Sequence, residues 1–248
     1  MLRYSLFLLC LLFLNVSCQN KSEKQENTKI EKSEASATEE KNNTTTSSNT
    51  ENTETSEPVN NLPSISIKEE NNEVEISRLP QNIDEFLEVR DKISTTPKGG
   101  ATMFIVACMM YVNSSDNDLA PLTVAVAKSR LQKSSKGYKG YIPNPSDLRL
   151  IKDQLKRYPF LPNSYVLETS PQEGYSLSDK PLKFSFSTNK YSGSEDEGKI
   201  KLFVPSSGAD SPRPIKVTRN DKGLWKADEW SSLLVGIRTP PKADNDDL

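Results

Sequence analysis

The chain has no histidine among its 248 residues. That absence excludes an imidazole base, the Ser-His-Asp and Cys-His arrangements, and zinc or iron held by histidine. Cysteine is almost as scarce, with three in all. Cys10 and Cys18 belong to the extreme N-terminus, so Cys108 is left alone in the rest of the chain and no internal disulfide braces it. Cys108 lies in the apolar run Ala101-Thr-Met-Phe-Ile-Val-Ala-Cys-Met-Met-Tyr-Val112 with no cation beside it, and reads as a buried structural thiol. Neither charge dominates: 32 basic and 34 acidic residues give a net −2, too balanced for a nucleic-acid partner. Apolar residues make up 34% of the chain, against about 45–50% in a typical globular protein by a count that includes glycine. The shortfall is not spread evenly.

Residues 1–17 read as a secretory signal. Arg3 supplies positive charge ahead of Leu6-Phe-Leu-Leu-Cys-Leu-Leu-Phe-Leu14, an apolar core far short of the ~20 residues that span a bilayer. The stretch Leu14-Asn-Val-Ser-Cys18-Gln19 resembles a bacterial lipobox, although Asn15 stands where an aliphatic residue is usual. The resemblance implies diacylglycerol on Cys18 and a membrane partner reached through that lipid. Ordinary cleavage after Ser17 or Cys18, releasing a soluble secreted protein, is the alternative. Beyond it, residues 19–78 hold no aromatic residue and carry 13 Glu against six Lys and Arg78. Runs such as Asn42-Asn-Thr-Thr-Thr-Ser-Ser-Asn-Thr50 offer too little apolar surface to offset the entropy of ordering. Residues 18–78 are therefore expected to form a lipidated, disordered tether.

Residues 79–238 are expected to fold as one α+β domain, with N-terminal helices packed on a C-terminal antiparallel sheet, and 239–248 to fray. Asn82 and Glu85 have capping-box spacing, and Ile83, Phe86, Leu87 and Ile93 share a helical stripe. Lys98-Gly-Gly-Ala101 opens a central buried helix that runs to Val112, its glycines signalling close backbone packing. Asp118 is placed as the cap of a third helix through about Gln132, and Ser146 as that of a fourth through about Tyr158. The period then changes to two. Leu182, Phe184 and Phe186, then Ile200, Leu202 and Val204, then Ile215 and Val217, alternate with polar neighbours. Asn220-Asp-Lys-Gly223 signals a turn into Leu224-Trp225; Leu233–Ile237 and Tyr165–Leu167 are expected to add short strands.

The Gly-Gly-Ala helix, Gly140-Tyr141, Gly174-Tyr175, the box Gly208-Ala-Asp-Ser-Pro-Arg-Pro214, Gly223-Leu-Trp-Lys-Ala227 and Trp230-Ser-Ser-Leu-Leu234 together resemble an uncharacterised family of bacterial extracytoplasmic domains over residues 79–238. The resemblance implies a fold boundary and no activity.

Within Ser206–Pro214, Asp210 and Arg213 are placed to pair and brace the loop, with Pro212 and Pro214 fixing φ. The functional alternative is a ligand clamp, with Arg213 as a fork for carboxylate or phosphate and Trp225 or Trp230 as a stacking face. A nucleophile at Ser206, Ser207 or Ser211 finds no spacing that selects a base. Asp84 and Glu88 share a turn, but Glu88 also pairs with Lys92 in i,i+4 register, as on a solvated face. Ser194-Glu-Asp-Glu-Gly198 lacks the alternating ligands of a calcium loop, and Thr95-Thr-Pro-Lys-Gly-Gly-Ala-Thr102 inverts the order of a phosphate loop. A looser basic set, Lys128, Arg130, Lys133, Lys136 and Lys139 with Lys152, Lys156 and Arg157, has Tyr138, Tyr141 and Tyr158 nearby; on adjacent helices it would attract glycan or lipid headgroups, and otherwise it is a solvated face. No cofactor or metal is expected. The leading expectation is a non-catalytic binding or scaffolding lipoprotein of the cell envelope, with a glycan or protein partner. The alternative is an envelope hydrolase acting on glycan or peptide through carboxylates.

Overall fold

Helix α1 (Ile83–Ile93) starts where the Asn82 side chain accepts the Glu85 amide at 2.9 Å. The Glu85 carboxylate then accepts the Gln81 amide and a bidentate pair of bonds from Arg78 at 2.7 and 2.8 Å. Helix α2 (Pro97–Asn113) follows after a sharp turn, with Thr96 accepting from Gly99 at 3.0 Å and Pro97 in its first turn. These elements belong to a computed structural model that describes residues 62–177 and 181–242. Every residue of α2 from Gly99 to Tyr111 is buried, so this helix is the centre of the core and has no solvent face. Its glycines explain how it gets so close to its neighbours. A Cβ on Gly100 would stand 2.7 Å from the Trp225 carbonyl oxygen, and one on Gly99 1.8 Å from that of Ile93.

The domain has three small antiparallel sheets, two of which pack on α2 while the remaining one, a hairpin, lies against the next helix. The first has the order β1 (Ile67–Glu70), β2 (Glu73–Ile76), β5 (Leu182–Ser185). The second is the hairpin β3 (Leu131–Tyr138), β4 (Tyr141–Pro143). The third runs β6 (Gly193–Ser194), β7 (Lys199–Val204), β8 (Arg213–Arg219), β9 (Trp225–Glu229). Ile200, Leu202, Val204, Ile215, Val217, Trp225 and Ala227 bury one face of the third sheet in the common core with α2. The last helix, α4 (Pro145–Arg157), buries Ile151 and Leu155. The architecture is α+β, as the change of period implies.

Several boundaries differ from the sequence reading. The fold begins before residue 79: β1 and β2 form a hairpin, Val74 and Ile76 are fully buried, and β2 pairs with β5. The remainder of the expected tether, the signal segment and Cys18 lie outside the described residues, as does the tail from 243. The third helix, α3, spans only Ala120–Ala125. Val126 turns extended to bridge Ala227, and the Ala127 amide donates to the Ala227 carbonyl at 2.7 Å. Pairing with β9 therefore overrides helical propensity, and Leu131 onward becomes a strand. Asn144, not Ser146, caps α4, accepting the Asp147 amide at 3.0 Å ahead of Pro145. Leu161–Tyr165 and Ser231–Leu234 are 3-10 turns where strands are expected near Tyr165 and Leu233. The acidic Glu195–Gly198 stretch is the tight connection between β6 and β7.

Candidate functional site

The Ser206–Pro214 loop is a brace whose partners differ from those expected. Asp210 pairs with Arg238, both largely exposed, and does not pair with Arg213. The Arg213 guanidinium instead donates to the Gly236 carbonyl at 2.8 Å, fastening the C-terminal segment to the start of β8. The serines are similarly engaged: Ser206 donates to the Ser164 hydroxyl at 2.9 Å, and Ser207 shares a 3.0 Å bond with Thr169. Trp225 and Trp230 are 2% and 3% exposed, which leaves a ligand no face to stack on. Trp230 lies between the Phe104 ring at 4.9 Å and the Arg130 guanidinium at 5.0 Å. The four residues Asp210, Arg213, Trp225 and Trp230 do not converge on a clamp. Cys108 is fully buried and its thiol is pushed up by desolvation. Among the described residues no group of three or more carboxylates and thiols is gathered as a metal site requires.

The basic residues split differently from the expected pair of helices. Lys133, Lys136 and Lys139 ride on the β3–β4 hairpin, while Lys152, Lys156 and Arg157 lie on α4. Arg130 is committed elsewhere, bound to the buried carboxylate of Asp147 at 2.5 Å. The hairpin tip explains Gly140-Tyr141. Lys139 and Gly140 have φ of 50° and 83°, a two-residue turn that sets Tyr138 and Tyr141 opposite each other. Gly140 needs that backbone; Lys139 tolerates it.

Behind the tip lies a groove of about 590 Å³. Its floor is apolar, from Leu87 on α1, Val124, Val126 and Ala127 at the end of α3, and Leu131. Tyr138 and Tyr141 form one wall, and Thr218, Asn220, Asp221 and Lys222 at the β8–β9 turn form the other. Five cations, Arg90, Lys128, Lys139, Lys222 and Lys226, line it against the single carboxylate of Asp221. Arg90 is neutralised locally by Asp91 at 2.7 Å. Among the described residues the four lysines form no ion pair. Lys139 lies 5.3 Å over the Tyr138 ring.

Lys226 is the deepest of these cations. Strand alternation buries Trp225 and Ala227 in the core and turns Lys226 the other way, toward the groove. Its ammonium donates to the Val124 carbonyl, an orphan acceptor at the C-terminal end of α3. Desolvation, then the nearby Arg90 charge, pulls its pKa down to about 8. A lysine capping a helix end has a structural role there, yet a single acceptor leaves it further N–H groups to offer. The arrangement can hold an anion over an apolar floor. Composition indicated basic residues at 128–139, but Lys226 was hidden inside a strand pattern, and only the fold brings it to Lys128 and Lys139.

Comparison with known proteins identifies one feature of the chain. Residues 78–241 match a protein family described as a domain of unknown function, DUF6935. No curated protein and no solved structure matches.

Proposed function

The chain belongs to the DUF6935 family of domains of unknown function, and we propose that it is a non-catalytic binding module of the cell envelope whose binding surface is the basic groove. One observation carries the reading: four lysines that form no ion pair among the described residues line a single groove that has an apolar floor and one carboxylate, Asp221. Unpaired cations gathered around a partly desolvated concavity are an electrostatic cost to the free protein that an anionic ligand relieves. The envelope address rests on the N-terminal sequence: the short apolar core, the lipobox-like Leu14–Cys18 stretch and the polar segment that follows. Lipid on Cys18 would tether the domain, and no helix among the described residues is long and apolar enough to cross a membrane. The hydrolase alternative requires two carboxylates facing one cavity. Among the described residues the groove has Asp221 as its one carboxylate.

Two measurements test the proposal. Calorimetric titration of the full chain in detergent with soluble anions at low salt should give binding that weakens with ionic strength and in a Lys128→Gln/Lys222→Gln variant. Absence of binding to every anion tried, or binding indifferent to those substitutions, would refute the groove as the surface. Detergent partitioning should place the mature protein in the detergent phase and Cys18→Ala in the aqueous phase, because stable anchoring needs more than one acyl chain. An unmodified mature N-terminus by mass spectrometry would refute the anchor.

A further inference from the structure

Resting on the groove as the binding surface, we propose that its ligand is a sugar phosphate ester, with the phosphate held by Lys226, Lys128 and Lys222 and the sugar hydroxyls met by Tyr138, Tyr141 and Asn220. The choice of phosphate follows from the kind of cation present. A free guanidinium fork would serve a planar carboxylate or a phosphate, but the groove's one guanidinium, Arg90, already engages Asp91 at 2.7 and 2.8 Å. What remains are lysines, compact point charges suited to a dianion with three equivalent oxygens. Lys226 has a single protein acceptor, the Val124 carbonyl, among the described residues, and so keeps N–H groups for a ligand. Burial and Arg90 hold its amine at about 8, and a bound phosphate would reverse that electrostatic penalty.

The sugar follows from the neutral groups. Tyr138, Tyr141 and Asn220 line the groove, and their hydroxyls and side-chain amide donate to no acceptor among the described residues. Asn220 uses its carbonyl oxygen to accept from the Lys222 and Leu224 amides at 3.0 and 2.9 Å, which leaves its own N–H groups outside those bonds. Three directional donors beside an apolar floor match a polyol ring better than an acyl chain, and the Lys139 ammonium over Tyr138 at 5.3 Å competes with a stacked base for that ring. A volume of about 590 Å³ falls within the ~300–1,000 Å³ of ordinary ligand pockets.

The experiment is calorimetric titration of the full chain in neutral detergent with glucose 1-phosphate, glucuronate and glucose. A parallel arm measures flotation of the protein with vesicles of phosphatidylcholine, with and without phosphatidylinositol 4-phosphate, whose headgroup carries a phosphate monoester. Glucose 1-phosphate is expected to bind, with glucuronate and glucose weaker by about tenfold or more, the scale of one lost charge-assisted bond. Lys226→Met, and separately the exposed pair Lys128→Gln/Lys222→Gln, should each weaken it by about tenfold while leaving the circular dichroism spectrum unchanged. If phosphatidylinositol 4-phosphate vesicles float the protein, with the same sensitivity to the lysine variants, while glucose 1-phosphate does not bind, the phosphate ester belongs to a lipid headgroup. If glucose 1-phosphate binds, a soluble source is sufficient. Glucuronate binding as tightly as glucose 1-phosphate overturns the phosphate assignment and leaves the binding module standing. Absence of binding in every arm overturns both.

Discussion

Lys226 should leave a signature in the alkaline stability of the protein that can be measured without knowing any ligand. Desolvation and the Arg90 charge hold its native pKa at about 8, against 10.5 for an ordinary lysine. Between those values the unfolded chain binds a proton that the native chain does not, so stability rises with pH across that window. Below pH 8 the full cost of the charged amine is present; above 10.5 it is gone. The difference corresponds to about 3 kcal/mol, and to about 2 kcal/mol once the residual exposure of the side chain is discounted. Cys108 and the tyrosines 111, 165 and 175 act in the opposite direction. Burial raises their pKa values, so the native state keeps protons that the unfolded state releases, and stability falls above about pH 9 to 10. A pH profile of the wild type alone would mix the two effects. Lys226→Met removes only the first, and its loss of the bond to Val124 costs about the same at every pH because a neutral amine also donates. Urea unfolding followed by the fluorescence of the buried Trp225 and Trp230 at pH 7, 8.5 and 10.5 supplies the data. The wild type should gain about 2–3 kcal/mol on the variant between the first and last pH. A difference that stays flat within about 0.5 kcal/mol would refute the desolvated amine.

Three further predictions follow from packing. Gly100→Ala places a methyl 2.6–2.8 Å from the Cβ and backbone of Trp225; overpacking of about 2–3 kcal/mol outweighs the ~1 kcal/mol that alanine gains in a helix, and a rise in melting temperature would contradict it. Arg213→Ala loses the bond to Gly236 at 2.8 Å and should destabilise by about 1–2 kcal/mol, whereas Asp210→Ala should leave the melt unchanged and the double variant should be additive, with coupling between the two contradicting their separate partners. Limited proteolysis followed by mass spectrometry should give a core that retains the β1–β2 hairpin, because Val74 and Ile76 are fully buried; a stable core starting at Leu79 would contradict that packing.

Much of this fold is legible in the sequence wherever one local signal acts alone. Asn82 with Glu85, the glycines before Ala101, and the alternation from Ile200 to Val217 each specify an element without reference to the rest of the chain. The errors cluster where a distant partner decides. Val124, Val126 and Ala127 continue a helical pattern, but the Ala227 carbonyl accepts the Ala127 amide and pulls the chain extended. The β1–β2 hairpin was averaged away by its acidic surroundings. Ile65 and Ile67 alternate, Asn71-Asn72 marks the turn, and Val74 and Ile76 alternate again, yet composition over sixty residues outweighs a signal of twelve. The lesson concerns window length: a disorder argument built on net charge has to be tested against period at the scale of one strand.

The groove was harder to read for a different reason. Its cations come from α1, the turn after α3, the β3–β4 tip, and β9 with the turn that precedes it, segments separated by up to 136 residues from Arg90 to Lys226. None of the four segments is unusual alone: an arginine on a helix, a lysine just past a short helix, one on a hairpin tip, and two on a strand and the turn before it. The loop that stood out in sequence, Ser206–Pro214, did so because its prolines and glycine fix a backbone path, and in the structure it binds the chain to itself. Distinctive local composition marked a brace. The candidate site consists of ordinary residues whose only distinction is convergence on an apolar floor without compensating acids. Charge that the fold leaves without a counter-ion, after every salt bridge has been assigned, is the more selective guide to a binding surface in this chain, because a half-buried cation with no acid beside it bears a desolvation cost that an anion would relieve.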